Sequence, residues 1–391
     1  MPGYELIGKE EKKSLDSIFI ESNGCLFAHG FQKMRNNKYQ VRAFEKEICK
    51  KLNVSNALAV SSGTMAQFVA MKVMGCKPGD EVITQAFTFV ATIEVILALG
   101  CKPIITECDT SLNMDPKDLE KKISRKTKLI IPVHMLGQAA NLDRILEIGK
   151  KHGIPVMEDS CEALGGQYKN RYLGTLGDCG IFSLDFAKTI TTGEGGIILF
   201  KNSSLARRAR EYHDHGHKNQ QGVPRGLDAR SFPGLNFRMT EMQGAVGRAQ
   251  LKKLKNILTL QRKNKWRLFK NIKNHFPFLK TRHYHDKKGD CCDTLILDLI
   301  SPSNASAFVK KFTSLGFSTK NIPDALQWHF ARKFSNMFDG TAYESSFRKQ
   351  WNFTNQLLLK SVAIPISCKW NSKDLQAITE AALKSLKAAN L

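Results

Sequence analysis

Long hydrophobic runs are missing from this 391-residue chain. A helix needs about 20 consecutive apolar residues to cross a bilayer, and no stretch reaches that length. The opening segment, Met1-Pro2-Gly3-Tyr4-Glu5-Leu6-Ile7-Gly8-Lys9-Glu10, is too charged for a secretory leader, so the expected compartment is the cytoplasm. Ten cysteines are present, but no two are spaced C-x-x-C. Cys101, Cys108, Cys161 and Cys179 sit in apolar segments, and the adjacent Cys291-Cys292 is a poor chelate. Reduced, mostly buried thiols are expected rather than disulfides. Internal repeats and low-complexity tracts are absent. Acidic residues are scarce, 36 against 59 Lys and Arg, which leaves a formal net charge of +23. Such an excess can serve nucleic-acid binding by phosphate neutralisation. Here the lysines are spread along the chain, often beside glutamates as in Glu10-Glu11-Lys12-Lys13, with no recognition-helix or zinc-finger pattern. A solvated basic surface suited to anionic sugars or nucleotides is the plainer reading, with neither nucleic acid nor membrane as a partner.

The first two-thirds alternates short apolar runs with helical patterns, which signals an α/β fold whose sheet is mostly parallel. Seven strands are expected, over 56–61, 81–84, 103–107, 128–133, 155–158, 179–183 and 196–200. Helices are expected over 64–74, 90–99, 116–123, 141–152 and 204–213, with Gly and Pro at most junctions, as in Lys77-Pro78-Gly79-Asp80. A long helical pattern begins around 240–255. It leads into a smaller α+β region with strands over 294–299 and 318–322 and helices over 303–315 and 373–387. The expected division is a large domain over 1–250, including the N-terminal segment, and a small C-terminal domain over 251–391.

The most informative stretch is Ser183-Leu184-Asp185-Phe186-Ala187-Lys188-Thr189-Ile190-Thr191-Thr192-Gly193-Glu194-Gly195-Gly196, which sets one lysine between an apolar strand and a glycine-rich turn. A surface lysine beside a hairpin is the ordinary reading of such a position. In a desolvated pocket, however, its amine loses its proton more easily and becomes a nucleophile toward a carbonyl. An aldehyde cofactor with a phosphate handle would suit it, provided the chain also supplies a phosphate cradle and an acid for the ring.

Ser61-Ser62-Gly63-Thr64 stands where a strand gives way to a helix, and free amides beside a glycine make a phosphate site there. Thr64 is also a candidate N-cap. Glu158-Asp159 closes a strand, where polar residues of a parallel sheet face the ligand crevice; a carboxylate there can pair with a pyridinium nitrogen or simply cap a helix. Phe89, in Phe87-Thr88-Phe89-Val90-Ala91-Thr92, can stack on a planar ring, although most phenylalanines in such places belong to the core. Gly234-Leu235-Asn236-Phe237-Arg238-Met239 presents an amide and a guanidinium suited to phosphate or carboxylate, Arg238 being the candidate anion binder. His213, His215 and His217 alternate, but alternate positions diverge and Gly216 marks a loop, so no metal site is expected.

With Pro132-Val133-His134-Met135-Leu136-Gly137-Gln138 and Glu158-Asp159-Ser160-Cys161-Glu162-Ala163, these segments in this order resemble the DegT/DnrJ/EryC1/StrS family of sugar aminotransferases, which use pyridoxal 5'-phosphate (PLP). The resemblance runs from about Glu5 to the last helix. It implies a fold-type-I homodimer whose active sites are built from both subunits. Matched by position, it implies Lys188 as the point of covalent attachment, Asp159 at the pyridine nitrogen, Phe89 stacked on the ring, and Gly63, Thr64 and Ser183 on the phosphate. Asn236 would reach in from the neighbouring subunit, and Glu162, where relatives often carry glutamine, would face the cofactor's phenolic oxygen. Glutamate is the implied amino donor and a keto or aldehyde sugar the acceptor, with Lys188 shuttling the proton. A dehydratase branch of the family has histidine in place of the lysine, so Lys188 argues for amino transfer.

Within the family, Met1-Pro2-Gly3-Tyr4-Glu5-Leu6, Gly30-Phe31-Gln32-Lys33-Met34-Arg35-Asn36-Asn37, Asp214-His215-Gly216-His217 and Trp328-His329 are similar to members that aminate the C8 aldehyde of an oxidised 3-deoxy-manno-octulosonate destined for lipopolysaccharide. That substrate carries a carboxylate and no nucleotide, and the likeness makes Arg35, His215 and His329 candidate substrate contacts. A nucleotide-linked keto-sugar, for surface polysaccharide or glycan synthesis, is the alternative acceptor.

Overall fold

The computed structural model describes residues 3–391 apart from 221, 340, 342 and 345, so Met1 and Pro2 of the N-terminal likeness lie outside the described residues. The chain begins with helices α1 (Lys9–Glu21) and α2 (Gln40–Leu52). Strand–helix alternation follows: β1 (Ala57–Val60), α3 (Gly63–Val73), β2 (Glu81–Gln85), α4 (Val90–Ala98), β3 (Lys102–Thr106), α5 (Pro116–Lys122), β4 (Thr127–Ile130), α6 (Leu142–His152) and β5 (Met157–Asp159). A small hairpin of β6 (Gln167–Tyr168) and β7 (Arg171–Tyr172) precedes β8 (Cys179–Ser183), β9 (Gly196–Phe200) and α7 (Ser203–Tyr212). Next come the long α8 (Glu241–His275), β10 (Lys280–Thr281), β11 (Thr294–Asp298), α9 (Pro302–Ser314), α10 (Leu326–His329), α11 (Asn352–Leu359), β12 (Ser361–Pro365) and α12 (Ser372–Ala388).

Side chains on successive strand residues point to opposite faces, and that alternation builds the two sides of the central sheet. Ala59 of β1, Phe182 of β8 and Ile197 and Leu199 of β9 face one cluster, closed by Phe44 and Ile48 of α2 and Leu254 and Ile257 of α8. Their neighbours Leu58, Val60, Ile181, Ile198 and Phe200 face the other, closed by Val69 and Ala70 of α3, Ile96 of α4 and Ala209 of α7. Helices thus cover both faces, as the apolar strands require.

The strands hydrogen-bond as a four-stranded sheet in the order β1-β9-β8-β5 and a three-stranded sheet in the order β3-β2-β4. β2 runs parallel to β3 and β4, and β5 parallel to β8, whereas β9 is antiparallel to β8 and β1. The expected mostly parallel α/β arrangement is present, but not as one continuous ladder. β4 and β5 meet only through isolated parallel bridges at Ile130–Val156 and Val133–Asp159. Pro132 and Pro155 lie at that seam; each accepts a backbone hydrogen bond there, from Asp159 at 2.9 Å and from Ile130 at 3.1 Å, and neither has an N–H to donate.

The C-terminal part stands on α8, which runs unbroken through residue 250. Antiparallel β10-β11-β12 packs against α9 and α12 around Phe308, Phe312, Leu295 and Ile378. The strand expected over 318–322 is not formed. Asn321 adopts φ +64°, which breaks the pleat and leaves a single bridge between Lys320 and Ile322. The sheet position is taken instead by β12, an element the sequence pattern did not reveal.

Candidate active site

Lys188 lies in the loop between β8 and β9. Its amide donates to Asp185 O at 3.0 Å, and its carbonyl accepts from Gly3 N at 3.0 Å. The side chain is mostly buried and places Nζ 3.6 Å from Glu162 Oε1. Burial alone would push the amine's pKa down. Glu162, with further help from Asp185 and Asp159, outweighs burial and holds it above the ordinary lysine value. The expectation that desolvation frees the amine of its proton is therefore corrected: the site as built by this chain keeps Lys188 charged. Burial raises Glu162 in turn, but Lys188, Lys320 and His329 bring it below the usual carboxylate range. Its second oxygen, Oε2, accepts from Leu136 N at 2.8 Å, which fixes the carboxylate in place.

Asp159 ends β5, and Glu158 beside it necessarily points to the other face. Glu158 is wholly buried, accepts from the amides of Gly174, Leu176 and Gly177, and meets His134 Nε2 at 3.0 Å. It is a structural anchor that fixes the strand. Asp159 is left for the crevice: Oδ2 accepts from Thr92 Oγ1 at 3.0 Å and Oδ1 from Cys161 N at 3.2 Å. Thr88 Oγ1 donates to Thr92 Oγ1 at 2.9 Å, so the start of α4 orients this carboxylate through a relay of two hydroxyls.

The candidate phosphate cradle is the N-terminus of α3. Its N-cap is Ser62, not Thr64: Ser62 is extended (φ −161°, ψ 166°), and its Oγ accepts from Met65 N at 3.1 Å. The helix therefore begins at Gly63 and leaves Thr64 in the first turn, where amides and hydroxyl favour an anion. Ser183 closes the cradle from the end of β8. A Cβ on Gly63 would come within 2.7 Å of Ser183 Cβ, so only glycine lets strand and helix approach this closely.

Phe89, at the N-cap of α4, keeps one side open to solvent and lies 5.3 Å from the His329 ring, centroid to centroid. His329 is nearly buried, its Nδ1 2.8 Å from Ala325 O. Burial pushes its pKa down, countered by Glu162. The structure thus joins Lys188, Glu162, Asp159, Phe89, His329, Ser183 and Gly63 in one region.

It does not bring Arg35, His215, Asn236 or Arg238 into that group within one protomer. Arg35 is completely buried and paired with Glu241 at 2.8 Å; it donates to Phe27 O and Lys38 O and packs over the Tyr39 ring. It holds the entry to α2 rather than a ligand. Arg238 joins Arg225 on buried Asp214, with Arg238 Nη1 2.6 Å from Oδ1. His215 (φ +53°) and Asn236 are exposed on two neighbouring segments, with the Asn236 backbone bridging to Asp214. The three alternating histidines diverge: His213 is buried against Arg210 O, His215 faces out, and His217 pairs with Asp228 at 3.2 Å.

Two pairs escaped the sequence reading. Thr88 and Thr92 carried a signal, since a spacing of four sets both hydroxyls on one side of a helix start. Lys320 and Asp293, joined at 2.5 Å beside Glu162, carried none, because folding alone brings them together.

A helix start with no room for a side chain, a buried carboxylate held by a hydroxyl and a mostly buried amine beside Glu162 fit pyridoxal phosphate: the first would take its phosphate, the second its ring nitrogen and the third its aldehyde. The fold is that of the fold-type-I enzymes that use PLP. A model of the DegT/DnrJ/EryC1/StrS aminotransferase family matches residues 29–382. The spore coat polysaccharide biosynthesis protein SpsC of Bacillus subtilis (strain 168) is 29% identical over 363 residues, 90% of either chain. GDP-perosamine synthase of Escherichia coli O157:H7 is 33% identical over 268 residues, 67% of this chain and 68% of that one. Among solved structures, ntda from Bacillus subtilis with bound cofactor PMP superimposes with a TM-score of 0.82 at 21% identity, over 99% of this chain and 84% of that one. The chain belongs to the DegT/DnrJ/EryC1/StrS aminotransferase family. It is a PLP-dependent sugar aminotransferase.

Proposed function

We propose that this enzyme moves an amino group from glutamate to the C8 aldehyde of an oxidised 3-deoxy-manno-octulosonate, for lipopolysaccharide synthesis, acting in the cytoplasm as a homodimer with shared sites. Bound PLP supplies an aldehyde that takes the amine and a ring that stores the electron pair released at the substrate carbon. The chain's own residues do the rest. Lys188 attaches the cofactor and then moves the proton at the substrate carbon. Asp159 keeps the ring nitrogen protonated, Gly63, Thr64 and Ser183 hold the phosphate, and Phe89 covers the ring. Glu162 faces the phenolic oxygen and poises the amine.

The observation that carries this reading is the Lys188 amine 3.6 Å from Glu162, with two further basic side chains, Lys320 and His329, facing the same carboxylate. Both donor and acceptor would bring carboxylates, and Lys320, held by Asp293 at 2.5 Å, is the cation beside Glu162 suited to meet one. Asn236, exposed on its segment, would reach into the site of a neighbouring subunit, as the family resemblance implies. The similarity to 8-amino-3,8-dideoxy-manno-octulosonate transaminase in Gly3-Tyr4-Glu5-Leu6 and Trp328-His329 supports the substrate.

A nucleotide-linked keto-sugar is the second reading, favoured by the relatives named GDP-perosamine synthase. Loading the enzyme with amine from glutamate and offering each acceptor decides between them. Amino sugar of the expected mass should form from the eight-carbon aldehyde. Turnover of GDP-linked keto-sugar alone would overturn the primary reading.

A further inference from the structure

The N-terminal segment makes a set of contacts that the chemistry above leaves unused. Gly3 N donates to the carbonyl of Lys188 itself at 3.0 Å. A Cβ on Gly3 would stand 2.7 Å from that same oxygen and 3.0 Å from Ile190 C and Thr191 N, so the segment lies flush on the lysine loop. Tyr4 stacks on Phe186, two residues before the lysine, at 4.7 Å and 17°. Both rings are about half exposed, so they cover the loop from outside rather than belonging to the core. The segment is anchored at its other end. Glu5 Oε2 accepts from Ser367 Oγ at 2.8 Å and Cys368 N at 3.0 Å, just past β12, and Leu6 O accepts from Lys253 Nζ of α8 at 2.6 Å. Lys253 in turn holds Glu11 at 2.8 Å.

The loop's own bonds, Lys188 N to Asp185 O at 3.0 Å and Thr192 N to Leu184 O at 2.9 Å, leave the lysine's carbonyl side to be held from outside, and misplacement by an ångström weakens a reacting group markedly. Here a hydrogen bond is made to the lysine's own backbone, by a segment tied to two other elements.

We propose that Gly3–Leu6 is a strap that positions Lys188, with Gly3, Tyr4 and Glu5 as positioning residues that set where the amine sits relative to Glu162. The inference rests on the reading of Lys188 as the residue that bonds the cofactor. The strap residues touch no substrate; they act through the loop they hold. Glu5 couples that placement to the segment after β12, so relaxing the anchor lets the amine drift from the carboxylate that raises its pKa.

The test uses the full chain loaded with PLP, with Glu5→Gln, Tyr4→Ala, Tyr4→Phe and Gly3→Ala. The pH midpoint of the absorbance band from the lysine–cofactor link should shift in Glu5→Gln and Tyr4→Ala, and kcat should fall by about tenfold with KM for glutamate nearly unchanged. Tyr4→Phe, which keeps the stacked ring, should behave as the parent does. Gly3→Ala, with its clash, should lower kcat further; if it fails to fold, the Glu5 and Tyr4 variants still decide. A merely structural strap would lower the melting temperature without moving the midpoint, and that result overturns the proposal. Unchanged midpoints and kcat in Glu5→Gln and Tyr4→Ala overturn it as well. Persistence of the band in Lys188→Ala would instead sink the reading of the site itself.

Discussion

The Lys188 amine stands 3.6 Å from the Glu162 carboxylate, and this pair sets the resting charge of the site. Burial and Glu162 push the amine's pKa in opposite directions, and Glu162 with its neighbouring acids prevails. Glu162→Gln keeps the shape and removes the charge, so burial acts with less opposition and the amine's pKa falls. The pH at which the cofactor-free protein begins to react with added PLP should therefore move to lower values. A stopped-flow pH series measures it, and a midpoint that stays put or rises contradicts the role given to Glu162.

Asp159 depends on Thr92 for its orientation. Asp159→Asn removes the charge that would hold a ring nitrogen protonated, and kcat should drop by about a hundredfold or more. Thr92→Val leaves the carboxylate but deletes its 3.0 Å hydrogen bond, for a loss of about tenfold. Single-turnover rates with glutamate rank the two. Equal losses would mean that the hydroxyl, not the charge, is the essential feature.

How much of this was legible beforehand depended on distance along the chain. Gly63, Asp159 and Ser183 sit at or just past strand ends, and a parallel strand–helix alternation gathers such ends on one edge, so local pattern sufficed. Arg35 was a candidate substrate contact through the likeness of its segment to the eight-carbon-sugar members; Glu241, which pairs with it, arrives from the first turn of α8, beyond the reach of local pattern. Lys188 was found, but its charge state was misjudged, since burial was foreseeable and the Glu162 oxygen 3.6 Å away was not. The segment 318–322 read as a strand until Asn321 took a left-handed conformation, and β12 was overlooked because Ser361 and Pro365 bracket only three apolar residues.

Gly63 tests the phosphate cradle. Gly63→Ala would force a methyl to 2.7 Å from Ser183 Cβ and 3.1 Å from its Cα, a contact with backbone behind it and no easy relief. Overpacking of this kind costs about 1–3 kcal/mol. Separation of α3 from β8 should also weaken PLP retention, seen as a higher dissociation constant on dialysis against inorganic phosphate. A variant that folds as stably as the parent and holds PLP as tightly would show that the cradle tolerates a side chain.

Stability toward acid should be set by two histidines away from Lys188. Burial, with Arg210 as the next influence, holds His213 at about 4 in the folded protein, and burial, with His213 next, holds His29 at about 3, against 6.5 when unfolded. Below 6.5 the unfolded chain takes up protons that the folded one refuses, so folding stability is full above that pH and is lost as pH falls toward 4 and then 3. Each histidine contributes a slope of at most about 1.4 kcal/mol per pH unit in that window. His213→Gln removes one proton site from the balance, so its stability should fall less steeply between pH 6.5 and 4 than the parent's, whatever its value at neutral pH. Urea denaturation at several pH values reads the slope directly. Parallel curves for the two proteins would mean that His213 already carries its proton in the fold, which its burial beside the Arg210 charge argues against.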